Sequence, residues 1–233
     1  MMVTDLNRQR IAINVFTTDY YHIRLTQEPY GVRRAQFICT DPAVSDDFRN
    51  MALEMHNNFR SSIALGQYEV NGKLGIAPPA ALMYPMDYDC TAESYALRHV
   101  RKCDRQLSPQ QARPGYKENI NVFFTNGNDE LAAIDNAITK WWGQLRTNGF
   151  PTNMIFTEAV RRRTTNVVTK FAKMAWWSNT KLGCATQRCS GFYFTTCMYG
   201  PGGGNIVGQS VYQIGAVCSG CPGTCDAAVG LCL

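Results

Sequence analysis

Ten cysteines in 233 residues constrain this chain more than any other feature. So many thiols would not persist in a reducing compartment, so the chain is expected to mature where disulfides form, with an even count that allows five pairs. The last four of them, Cys218-x-x-Cys221, Cys225 and Cys232, could in principle supply four thiolates to zinc. No histidine flanks them, and residues 218–233 are short and rich in Gly and Pro. That composition reads as a knotted disulfide tail, and no metal or other cofactor is expected.

Apolar residues make up 45% of the chain, enough for a substantial core, and no stretch is long and apolar enough to span a membrane. The net charge of +5 is not gathered into one long basic run, which argues against nucleic-acid binding. The one local cluster, Arg161-Arg162-Arg163, reads as a solvated loop. Residues 1–37 are read as an atypical extension. They mix Arg8, Arg10, Asp19, Arg24, Glu28, Arg33 and Arg34 with Phe16, Tyr20 and Tyr21, and lack the apolar core of a signal peptide. That conflicts with the export implied by the cysteines; an artefact at the start of the chain is the expected explanation, with unconventional export as the alternative.

Regular structure is legible from about residue 39. Ser45 can cap a helix with Asp46 and Asp47 in its first turn, and Phe48, Met51, Met55, Phe59 and Ile63 form an apolar stripe. Gly66 marks its end. A second helix is expected over about Asp87–Cys103, with Ala92, Ala96, Val100 and Cys103 on one face, and a short strand over Asn119–Phe124. After Asn128 the spacing of Leu131, Ile134, Ile138, Trp141 and Leu145 predicts a helix that Gly149 and Pro151 terminate. A further helix is expected over Thr165–Trp177. Cys184–Gln187 and Gly191–Met198 read as a hairpin, with a last strand over Val211–Val217. Helices interleaved with late strands predict helices covering an antiparallel sheet.

Four segments stand out in order along the chain: His56-Asn57-Asn58-Phe59-Arg60, Trp141-Trp142-Gly143-Gln144, Phe171-Ala172-Lys173-Met174-Ala175-Trp176 and Cys197-Met198-Tyr199-Gly200-Pro201. They resemble in turn the HNxxR motif of the first helix, the WxxE helix and the first and second signatures of the CAP superfamily, and nematode venom-allergen-like and activation-associated secreted proteins in particular. The match runs in order from about Cys39 to Leu233. It implies a three-layer α/β/α CAP sandwich with an antiparallel central sheet over residues 38–217 and a C-terminal cysteine-rich hinge over 218–233. It also implies the pairs Cys39–Cys90, Cys103–Cys184, Cys189–Cys197, Cys218–Cys225 and Cys221–Cys232; the third is plausible locally, because strands joined by a turn can bring their Cβ atoms close.

Many members of this family hold two His and two Glu in a cleft that can bind a divalent metal. Carried over position by position, the first His becomes Leu107, the first Glu is kept as Glu118, the second Glu becomes Gln144 and the second His becomes Lys170. Leu offers no ligand, Gln is a weak neutral one and Lys must lose a proton first. A lysine beside Glu118 is expected to form an ion pair where the cation would sit. His22, His56 and His99 are the only histidines, and His56 is read as a packing residue. There is no GxSxG elbow, no Walker loop and no HExxH.

The chain is therefore expected to be a secreted, extracellular, non-enzymatic protein, a parasite effector that engages a host protein. Its loops Gln67–Pro79, Leu107–Tyr116 and Asn148–Thr164 would present the binding surface, with Arg161–Arg163 steering association. The alternative is a sterol or fatty-acid carrier, with Phe123, Phe124, Trp141 and Trp142 lining an apolar pocket.

Overall fold

The computed structural model describes residues 38–127 and 129–233. The expected extension over residues 1–37 lies outside them. In chain order the elements are α1 (Asp46–Leu65), β1 (Ala80–Leu82), β2 (Asp87–Tyr88), α2 (Cys90–Val100), a 3-10 turn (Gln110–Ala112), β3 (Lys117–Phe124), α3 (Glu130–Trp142), α4 (Gln144–Asn148), α5 (Glu158–Arg161), α6 (Thr169–Met174), β4 (Lys181–Cys189), β5 (Phe192–Gly200), β6 (Gln213–Ile214), β7 (Cys225–Asp226) and β8 (Leu231–Cys232).

The central sheet has the order β2-β4-β5-β3. Strands β3, β5 and β4 are antiparallel, and only the short edge strand β2 runs parallel to its neighbour. Side chains alternate between faces along each strand, so Phe194 and Tyr199 on β5 look opposite ways. Phe194 meets His99 of α2 edge-on, whereas Tyr199 meets His56 of α1. The sheet thus lies between α2 on one side and α1 with α3 on the other, the three layers the sequence leads one to expect. On the α2 side, Gly183 is what permits close packing: a Cβ there would come within 2.1 Å of the Glu93 nitrogen.

Helix α1 begins as expected, with the Ser45 hydroxyl accepting from the Phe48 N–H, and ends at Gly66 in the left-handed conformation. Its most buried face differs from the apolar stripe. Phe48 and Ile63 are buried, but between them the core contains Ala52, His56 and Arg60, while Met51, Met55 and Phe59 lie at its margin. Arg60 is fully buried because its guanidinium finds main-chain acceptors in the carbonyls of Tyr84, Met174, Trp176 and Trp177, at 2.6–3.0 Å. Arg49 forms a buried bidentate pair with Glu93, both bonds 2.8 Å, which joins α1 to α2.

Other boundaries are shorter than the periodicity suggests. The helix after Asp129 stops at Trp142, and α4 resumes at Gln144 after Gly143. Only Thr169–Met174 of the expected Thr165–Trp177 helix is helical, and the expected last strand reduces to Gln213–Ile214. Sequence reading placed a loop over Asn148–Thr164, which includes the short helix α5 capped by Thr157.

The structure pairs Cys39–Cys90, Cys218–Cys225 and Cys221–Cys232, but the other two bridges are Cys103–Cys189 and Cys184–Cys197. This corrects the expected Cys103–Cys184 and Cys189–Cys197. Hairpin register supplies the reason. Cys184 lies directly opposite Cys197, whereas Cys189 lies opposite Phe192. Cys189 and Cys197 are therefore about five strand positions apart along the hairpin, roughly 16 Å at about 3.3 Å per residue, too far to bridge. Cys103, just past α2, reaches the hairpin end at Cys189 instead, with a Cα separation of 6.0 Å. In the tail, the Cys218, Cys221 and Cys225 sulfurs lie within 4.8 Å of one another, but all three are spent in disulfides. Each bridge is expected to contribute about 2–4 kcal/mol.

Candidate functional site: the Glu118 cleft

Strand β3 carries Glu118 on the α2 side of the sheet, and its carboxylate is completely buried. Such a charge needs partners, and it has them on both oxygens. His99 Nδ1, from the last turn of α2, lies 2.5 Å from Oε1. The Ser108 N–H and hydroxyl both donate to Oε2 at 2.8 Å, and Arg113 Nε stands 3.4 Å from the same oxygen. Arg113 is itself held, its Nε donating to the Ser108 hydroxyl and its Nη1 to the Tyr116 carbonyl. Beyond the imidazole, His99 Nε2 lies 3.3 Å from Asp104 Oδ1.

The titration behaviour follows from these contacts. Burial alone would push the His99 pKa down, but Glu118 and Asp104 outweigh it and hold the ring above its ordinary value. Burial alone would raise Glu118, yet His99 and Ser108 outweigh it and hold the carboxyl below its ordinary value. The pair is thus an imidazolium against a carboxylate over the range where both are charged.

The remaining cleft positions do not converge on Glu118. Leu107 is 56% exposed. Gln144 Oε1 accepts the Lys170 and Phe171 N–H groups at 2.9 and 3.1 Å, so it satisfies the open start of α6. Lys170 does not form the expected ion pair with Glu118. Its ammonium donates to the Ile120 carbonyl at 2.7 Å, the acceptor that the Trp141 indole also uses. Lys173, one turn on, instead binds the Glu118 main-chain carbonyl at 2.6 Å and Asn119 Oδ1 at 2.9 Å. Since β3 is an edge strand, the two amines and the indole occupy outward carbonyls that a foreign strand could otherwise pair with. Lys173 is buried beneath Gly204, and burial pushes its pKa down to about 7.

His56 is a packing residue, as expected: Nδ1 meets the Ala52 carbonyl at 2.7 Å and Nε2 the Tyr199 hydroxyl at 3.0 Å. Burial pushes its pKa down to about 4, so the ring is neutral at physiological pH. The aromatics proposed for a lipid pocket do not share one. Trp141 and Trp142 are core residues, Trp142 stacking on Phe59 at 4.9 Å, whereas Phe124 is 69% exposed. Among the described residues, a cavity of about 340 Å³ is lined instead by Glu130, Thr186, Gln187, Arg188 and Tyr193, a predominantly polar set.

A family model described as CAP, the cysteine-rich secretory protein family, matches residues 53–199. The chain belongs to the CAP family. It is 40% identical over 195 residues to Ancylostoma secreted protein of Ancylostoma caninum, covering 83% of this chain and 46% of that relative. The chain thus spans about half that relative's length. It is 30% identical to hookworm platelet inhibitor 1 of the same organism, covering 78% of this chain and 80% of the relative. Among solved structures it resembles NaASP2 with Zn2+ (TM-score 0.78, 37% identity, 84% of this chain and 100% of the other) and Na-ASP-1 (TM-score 0.80, 37% identity, 88% and 52%).

The residues of this CAP chain do not fit a divalent cation at the cleft. Glu118 already has His99 and Ser108 on its two oxygens and a guanidinium close by, and the other three positions offer an alkyl group, an amide spent on α6 and an amine bound to a carbonyl. Sequence reasoning found Glu118 but not His99, Arg113 or Lys173. No spacing rule links His99 to a strand residue nineteen positions later; that contact exists because α2 packs on the face of the sheet to which Glu118 points.

Proposed function

We propose that this chain is an extracellular, non-enzymatic CAP protein that acts by binding a host protein. The observation that carries the reading is the closure of the cleft: Glu118 is consumed by His99, Ser108 and Arg113, and Gln144 and Lys170 are spent on main-chain groups. Among the described cleft residues, none combines an accessible nucleophile or base with a place for substrate beside it.

What remains is a stapled frame with pinned loops. Asn71 accepts from the Phe150 N–H at 2.6 Å and donates to its carbonyl at 2.8 Å, locking the Gln67–Pro79 loop to the start of Asn148–Thr164. Loops held this way present surface at low entropic cost, which favours protein recognition. Five disulfides suit an extracellular setting, and the names of the Ancylostoma relatives, one a secreted protein and one a platelet inhibitor, support both the location and a host partner.

The test is binding of fluorescently labelled protein, produced through a secretory host, to mammalian platelets and leukocytes. Saturable binding that unlabelled protein competes away and that EDTA leaves unchanged is the expected result. Absence of saturable binding, or its loss on chelation, would contradict the reading.

A further inference from the structure

Arg98, Arg101, Lys102 and Arg105 fall within one short segment at the end of α2, and all four are exposed. None of them forms an ion pair among the described residues. The one acid in the segment, Asp104, is turned toward His99 Nε2 at 3.3 Å and accepts the Gln106 N–H at 3.2 Å. The positive charge is therefore unbalanced locally. Arg161 and Arg162, by contrast, share Glu158, and Arg163 donates to the Gly149 carbonyl, so a carboxylate partly offsets the cluster expected to steer association.

The segment is also held in place. Cys103 and Arg105 adopt left-handed backbone conformations (φ 52° and 59°), and Cys103 is bridged to Cys189 at the hairpin end. This places the Arg105 guanidinium 5.5 Å from the Phe192 ring, which lies 5.9 Å from the ring of Phe124. Phe124 is 69% exposed and Leu107 56%. Arg105 and the exposed Phe124 thus flank Phe192 on a surface fixed by a disulfide.

We infer that this surface, centred on Arg105, Phe192 and Phe124, docks an acidic protein segment that carries an aromatic or aliphatic side chain among its carboxylates. The inference rests on the proposed role as a host-protein binder and names the face it uses. Carboxylates answer the guanidinium groups, and an apolar side chain answers Phe124 and Phe192. A sulfated glycan would satisfy the charge but leave the apolar groups against water, which is why a protein partner is favoured.

The full chain is titrated with a fluorescein-labelled synthetic peptide alternating Glu and Asp with Phe and Leu, with the same peptide bearing Ser in place of Phe and Leu, and with a heparin fragment of matched charge. The variants are the triple Arg101→Glu/Lys102→Glu/Arg105→Glu and the single exposed change Phe124→Ser, each checked for native near-UV circular dichroism. Wild-type protein should prefer the apolar acidic peptide, with binding weakened at least about tenfold by the triple variant and about fivefold by Phe124→Ser. No binding of that peptide, or heparin binding that Phe124→Ser leaves unchanged and that displaces the peptide, would overturn the inference. On host cells, wild-type and triple variant binding equally would overturn this face while the functional reading stands. A wild type that binds the peptide but no cell would overturn the functional reading and support the chemistry of the face.

Discussion

His99 Nδ1 sits 2.5 Å from Glu118 Oε1, so a histidine from helix α2 holds a carboxylate of strand β3. Both groups are buried, and the rest of the Glu118 shell, Ser108 and Arg113, comes from the loop between α2 and β3. One contact thus ties the helix layer to the sheet and closes the site.

Removing the ring should be costly. His99→Ala leaves Glu118 with one charged partner fewer, and breaking a buried pair from one side costs about 3–5 kcal/mol. The pH dependence has a defined sign. Because the His99 pKa is raised, its contribution is fully present below its ordinary value of 6.5 and is lost as pH rises through the folded value. Because Glu118 is lowered, its contribution is present above 4.5 and is lost as pH falls through its folded value. Urea unfolding should show the difference between wild type and His99→Ala largest between about pH 4.5 and 6.5 and shrinking at higher pH. An equal difference at pH 5.5 and pH 9 would refute the ion pair.

Lys173 should act in the opposite sense. An unfolded lysine keeps its proton up to about 10.5, whereas the buried amine releases it near 7, so between these values the unfolded state binds more protons and stability rises with pH. Replacing Lys173 with Gln should remove a slope of up to about 1.4 kcal/mol per pH unit over that window. Parallel stability curves for wild type and Lys173→Gln between pH 7 and 9 would show that the amine is not titrating there.

The disulfide pattern is testable by peptide mapping without reduction. Trypsin cuts after Lys102, Arg105, Lys181 and Arg188 and nowhere beyond. With Cys103–Cys189 and Cys184–Cys197, peptides 103–105, 182–188 and 189–233 should travel as one linked species. Peptides 103–105 and 182–188 joined to each other but free of 189–233 would show the pairing implied by the family resemblance instead.

What was legible in the sequence depended on how local the cause was. The Ser45 cap, the Gly66 stop and the Ala92/Ala96/Val100 face of α2 follow from near neighbours, and they appear where expected. The burial of Arg60 could not be read from periodicity, because its acceptors are carbonyls on segments as far away as Trp177. Register decided the disulfides: once Cys184 faces Cys197, Cys189 must look elsewhere. The cleft was half legible. The replacements at Leu107, Gln144 and Lys170 stand in the sequence, but the partner that took Glu118 came from the opposite end of another element.

Closure of the cleft to metal is tested most directly by a zinc titration of the disulfide-intact protein, by calorimetry and native mass spectrometry at pH 7.5. No one-to-one uptake and no change in the His99 ring resonances are expected. Tight stoichiometric zinc that displaces His99 from Glu118, and that is lost in Glu118→Gln, would contradict that closure.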